Sequence, residues 1–98
     1  MTPLPLDPYI TDVLMRDLVG HDRSPSAFVA YLWLWSRSRG VGRETVGASL
    51  QTIATETGLS KSSVQNAVKR LIYRGLLAAR RDGATTAPIY EVREPWRR

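Results

Sequence analysis

The sequence predicts a mainly α fold completed by a small β-hairpin. Three observations carry that reading. Four segments combine a helix-start residue with apolar residues at helical spacing. The third and fourth are separated only by Gly58-Leu59-Ser60, a tight turn. Near the C-terminus, two short apolar runs flank an Asp82-Gly83 pair, the composition of a hairpin loop.

The elements follow in order. Residues 1–6 are punctuated by proline, have no period and form an extended arm. Asp7-Pro8 opens a first helix over 7–20, with an acceptor at the cap and proline at the first helical position. Ile10, Val13, Leu14 and Leu18 line it, and Gly20 is placed to stop it. Ser24-Pro25 opens a second helix over 24–39. At 100° per residue, Ala27, Phe28, Tyr31, Leu32, Leu34 and Trp35 share its core face, while Val29 and Trp33 point away and Ala30 lies at the margin. A helix apolar nearly all round needs cover on both sides. The second cover is either the first helix or, through Val29 and Trp33, another copy of the chain as a homodimer. Val46-Gly47-Ala48 is a short extended piece. Ser49 caps a third helix to about Thr57, and Ser60 caps a fourth to about Arg74, closed by Gly75, so that 49–75 forms one helical pair. Residues 76–93 hold the hairpin, with strands at 76–81 and 89–92, and 94–98 is a tail.

Ninety-eight residues with 43% apolar and 23% charged content describe one ordinary globular domain. There is no cysteine and one histidine, His21, so thiolate metal sites and disulfides are excluded, and a histidine-based metal or nucleophile site has too little to draw on. His21 reads as a surface residue beside a helix end. Asp7, Asp12, Asp17 and Asp22 recur every five residues, which does not build a calcium loop. Trp33, Trp35 and Trp96 read as packing residues. The longest apolar run is nine residues, Ala27 to Trp35, too short for a membrane span, and no secretory leader is visible. The expectation is a cytoplasmic domain that is not an enzyme, takes no cofactor or metal and shows no effector site.

The charge is asymmetric. Residues 1–60 carry five arginines against six acids, a balance of −1, and residues 61–98 carry nine bases against three acids, a balance of +6. That suggests a polyanion, or else a solvated surface. The spacing from 50 to 71 is more specific. Ala54 is small where the next helix crosses, Gly58 suits a turn of positive φ, Leu59 plugs the angle, and Val64, Val68 and Leu71 anchor the fourth helix with Ala67 beside them. The opposite face holds Lys61, Ser62, Ser63, Gln65, Asn66, Lys69 and Arg70, with no acid among them.

Those residues resemble the helix-turn-helix of DNA-binding proteins, and Leu71-Ile72-Tyr73-Arg74-Gly75-Leu76-Leu77 resembles the passage from recognition helix to wing in winged helix-turn-helix domains. The run from Ser24 to Leu32, followed by Val46 to Ala54, is similar to the winged-helix domains of plasmid replication initiators; the Ser60–Val64 and Gly75–Leu77 portions are shared with GntR-type and MarR-type regulators. The resemblance implies a partner in double-stranded DNA and a role in transcription regulation or replication initiation. It implies DNA contact by Lys61, Ser62, Ser63 and Gln65. By chemistry, Gln65 and Asn66 suit adenine, Lys69 suits guanine, and Ser60 with Lys61 suits a phosphate at the helix N-terminus. Arg80, Arg81, Thr85 and Thr86 of the wing suit the backbone or minor groove. Arg70 and Arg74 are expected in solvent or paired with Glu56, and Arg97 and Arg98 are expected to be mobile. The competing reading is a protein-interaction module that keeps the fold and meets another subunit through Val29 and Trp33.

Overall fold

The computed structural model describes residues 3–83 and 86–97. Four helices precede and surround a three-stranded antiparallel sheet, the architecture of a winged helix-turn-helix. Helix α1 covers residues 8–21. Asp7 starts it as expected, its Oδ1 accepting the Tyr9 N–H at 2.9 Å. Beyond the first turn it is wound wide, in two stretches, Ile10–Leu14 and Arg16–His21, with hydrogen bonds reaching five residues back, as from Asp22 N–H to Asp17 C=O at 2.8 Å. Gly20 does not stop it. The stop comes at Arg23, which takes a positive φ of 53° just before Ser24-Pro25.

Helix α2 spans Pro25–Ser36 and ends earlier than its sequence suggests, in a 3₁₀ turn at Arg39–Val41. The Ser38 hydroxyl donates to Leu34 C=O at 2.7 Å, which satisfies a buried polar side chain locally. Ala30 is fully buried rather than marginal, because α2 is sandwiched between α1 and the later helices. Strand β1, Thr45–Gly47, leads into α3, Leu50–Thr57, and α4, Lys61–Tyr73. Both caps form as the sequence predicts: Ser49 Oγ accepts the Thr52 N–H at 3.0 Å, and Ser60 Oγ accepts the Ser63 N–H at 3.1 Å. Gly58 between them has φ +81°, a conformation costly to any residue with a Cβ. Val64, Ala67, Val68 and Leu71 are buried against Ile53 and Ala54.

Strands β2, Leu77–Arg80, and β3, Ile89–Val92, form the wing, and β3 lies between β2 and β1. The pairing Val46↔Tyr90 closes the sheet onto the chain ahead of α3. Tyr31 ties α2 to the end of β3 by donating to Arg93 C=O at 2.8 Å, and burial pushes its hydroxyl pKa upward.

The termini depart most from expectation. The tail folds back onto the arm. Trp96 stacks on Tyr9 at 4.5 Å and lies 6.5 Å from Trp35, and its indole donates to Asp7 Oδ2 at 3.1 Å. Arg97 reaches Asp7 at 2.7 Å and Glu94 at 2.9 Å, so it is fixed rather than mobile; Arg98 lies outside the described residues. The arm is pinned too, with the Trp35 indole donating to Pro5 C=O at 3.3 Å.

Candidate nucleic-acid interface

Helix α4 is about 20 Å long at 1.5 Å per residue, long enough to lie across a groove. Its inner face is apolar and sealed, which fixes its roll about its own axis. Winding outward from that seal, Ser62, Asn66, Lys69 and Tyr73 fall within an arc of about 60° on the opposite side. All four are exposed. Gln65 and Arg70 flank the arc and are exposed as well. Neither Lys61, Lys69 nor Arg70 has a carboxylate within 4.0 Å among the described residues. Arg70 lies over the Tyr73 ring at 5.8 Å.

The expected site residues therefore separate into groups. Ser60 and Ser63 are engaged in the cap, with their hydroxyls 2.9 Å apart and Ser63 half-buried. Lys61 sits off the outward arc. It lines a cleft of about 360 Å³ with Arg81 and Thr86 of the wing and with Ser49 and Gln51 at the start of α3. Three elements distant in sequence thus bring a lysine, an arginine and a helix N-terminus to one place. Arg80 is not part of that cleft. It lies toward α2 and β1, beside Trp33, and reaches Asp82 at 3.8 Å. Thr85 lies outside the described residues.

Arg74 leaves the interface. It pairs with Asp17 at 3.6 Å and Asp22 at 3.5 Å, not with Glu56, whose partner is Arg37 at 3.6 Å. The reason is geometric: α4 ends against the C-terminal turn of α1, while α3 ends beside α2. The His21 ring Nδ1–H donates to Asp22 Oδ1 at 2.9 Å, and His21 is itself exposed, as a surface residue. That contact, ahead of the charges of Arg74 and Arg70, holds the Asp22 carboxyl below its ordinary pKa.

Sequence reasoning missed Tyr73 and Gln51. Tyr73 is 81% exposed, the most open large hydrophobic residue of the described chain. Its signal was present, since it stands seven residues after Asn66 on the polar face. Gln51 becomes relevant only once the wing folds beside α3, which no local pattern encodes.

Trp33 is half-buried against the core and covered by Arg37, whose guanidinium sits 5.4 Å from the ring centroid. On its other side it lines a cleft with Thr45, Val46 and Gly47 of β1. Val29 is 39% exposed.

A family profile described as a helix-turn-helix domain matches residues 24–77, more than half of the chain, and the chain belongs to that family. No curated protein and no solved structure matches it. The family supports a DNA-binding role, and its members are typically non-enzymatic modules. No helix of the described residues is long and apolar enough to cross a membrane.

Proposed function

We propose that this chain, residues 1–98 acting as one domain, binds duplex DNA sequence-selectively and serves in transcription regulation or replication control. In this reading α4 enters the major groove with Ser62, Gln65, Asn66 and Lys69 toward base edges. Asn66 and Gln65 offer paired donor and acceptor atoms for adenine, and Lys69 reaches guanine or a phosphate. Lys61, Arg81 and Thr86 grip the backbone beside the start of α3, where helix-terminal amides favour an anion. Ser60 and Ser63 hold the helix start in shape and contribute through it. Tyr73 extends the contact at the far end of α4, stacking its ring on a sugar or lending its hydroxyl to a phosphate.

The observation that carries this reading is the outward arc of α4, exposed over its whole length and free of carboxylates. A merely solvated helix would mix acids among the donors. The test is a gel-shift titration against random-sequence and affinity-selected duplexes at two salt concentrations. The selected duplex should bind at least about tenfold more tightly, with both affinities falling steeply with salt. Equal affinity for every duplex would remove sequence selectivity, and no binding at low salt would remove the DNA-binding reading.

A further inference from the structure

A second cationic site lies away from the recognition helix. It is a cleft of about 610 Å³ between the end of α2 and the free edge of β1. Its lining holds Arg37, Arg43 and Arg80 and, among the described residues, no carboxylate. It shares no residue with the cleft between α3 and the wing. Trp33 forms its apolar floor, and Val29 stands exposed one turn earlier on α2.

The backbone at this edge is specific. Ala48 N–H bonds Pro88 C=O at 3.1 Å and Val92 N–H bonds Glu44 C=O at 3.0 Å. With Thr45 opposite Glu91 and Gly47 opposite Ile89, antiparallel alternation turns the N–H and C=O of Thr45 and Gly47 outward. Both residues are exposed. The Trp33 indole N–H beside them is shut off from solvent and has no acceptor among the described residues.

We infer that this edge is a docking site for an extended, acidic segment of a partner protein, which adds a strand to β1 and sets its carboxylates against Arg37, Arg43 and Arg80. Strand addition supplies backbone hydrogen bonds, and alternate side chains of the added strand fall toward the Trp33 floor and the arginine rim. A nucleic acid offers no ladder for Thr45 and Gly47. A second copy meets a different obstacle. In a two-fold contact the same patch faces itself, and arginines would oppose arginines. Arg37 and Arg80 have carboxylates nearby, Glu56 at 3.6 Å and Asp82 at 3.8 Å, both long contacts at exposed side chains that a partner carboxylate can replace. This site is independent of the DNA-binding reading proposed above, which rests on α4 and the cleft at Lys61 and Arg81 and on none of its residues.

The experiment is a titration of the ¹⁵N-labelled full chain with a blocked ten-residue peptide alternating Glu and Val. A control peptide carries the same charges with proline in place of valine. The Glu-Val peptide should shift the amides of Thr45 and Gly47 and the Trp33 indole resonance, and should slow exchange of the two amides at least tenfold. The proline peptide should bind at least tenfold more weakly. Thr45→Pro removes an outward N–H at the first residue of an edge strand, where proline is tolerated. It should abolish the peptide shifts and leave duplex affinity unchanged. Arg43→Glu, which leaves the strand intact, should weaken the peptide at least tenfold. Equal binding of the two peptides overturns strand addition. Shifts confined to α4, or a single-stranded oligonucleotide displacing the peptide from Thr45, overturn the acidic-protein assignment. A doubled sedimentation mass that Trp33→Glu restores to the monomer value gives the edge to a second copy of the chain instead.

Discussion

Two regions of this molecule carry basic side chains from the same C-terminal stretch, and they are treated in opposite ways. Around the two ends of α1 and at the end of β3, arginines are neutralised by carboxylates. Arg74 meets Asp17 and Asp22, Arg97 meets Asp7 and Glu94, and Arg93 meets Glu91 at 2.7 Å. On α4, Lys61, Lys69 and Arg70 have no such partner among the described residues. A balance of +6 in the sequence is therefore not a uniform basic surface. Asp7, Asp17 and Asp22, remote in sequence, join the neighbouring Glu91 and Glu94 in quenching one part and leave the outward face of α4 open. Charge at the first region holds the fold together; charge at the second is available to a polyanion.

The largest expected effect breaks the second region alone. Lys61→Glu with Lys69→Glu should reduce duplex affinity by at least about a hundredfold, tenfold or more for each. The urea midpoint of folding should stay within experimental error, because both side chains are exposed. Arg74→Ala does the reverse. It strips the Asp22 carboxylate, only 5% exposed, of an ionic partner. A loss of about 1–3 kcal/mol is expected in urea unfolding, the cost of leaving a buried acceptor poorly matched, with duplex affinity retained once the protein is folded. If Arg74→Ala weakened DNA binding without destabilising the fold, the two regions would have exchanged roles.

The wing sharpens the contrast on a smaller scale. Arg81→Ala should lower affinity several-fold for all duplexes alike, read by fluorescence anisotropy, whereas Arg80→Ala, on the side of β1 and Trp33, should change it less. A change in preference among sequences would move Arg81 from backbone to base contact.

The smallest effect belongs to the arm and tail. The Tyr9 N–H, then the Trp96 indole and Arg97, hold the Asp7 carboxyl below its ordinary pKa of 3.8. A depressed pKa stabilises the fold above 3.8 and ceases to do so as pH falls through the lower folded value. Urea midpoints measured from pH 6 down to 3 should drop below that point, and Asp7→Asn should flatten part of the drop. An unchanged profile would mean that the tail is not held by this carboxylate.

How far the sequence discloses the molecule depends on the reach of each interaction. The pair of helices from Leu50 to Tyr73 was legible because its determinants are neighbours: Ser49 and Ser60 cap within three residues, and Gly58 turns in place. Strand β1 was only partly legible, since its three residues become a strand through pairing with residues 89–91. The fixed tail was not legible at all, because Trp96 and Asp7 are 89 residues apart. Nor was the partner of Arg74, which depends on where α1 ends. Within the interface, the donor face of α4 was visible from periodicity. The withdrawal of Ser60 and Ser63 into the cap, the divergence of Arg80 from Arg81 and the exposure of Tyr73 needed the packed structure.

The central claim, that the unpaired cations of α4 contact a polyanion directly, is tested most simply through Lys69→Gln. This substitution removes one charge from the outward arc and keeps the length of a polar side chain. Duplex affinity is measured across a series of salt concentrations for both proteins. The account predicts a slope of log affinity against log salt that is shallower by about one unit in the variant, with an unchanged folding midpoint. An identical slope and identical affinity would contradict it.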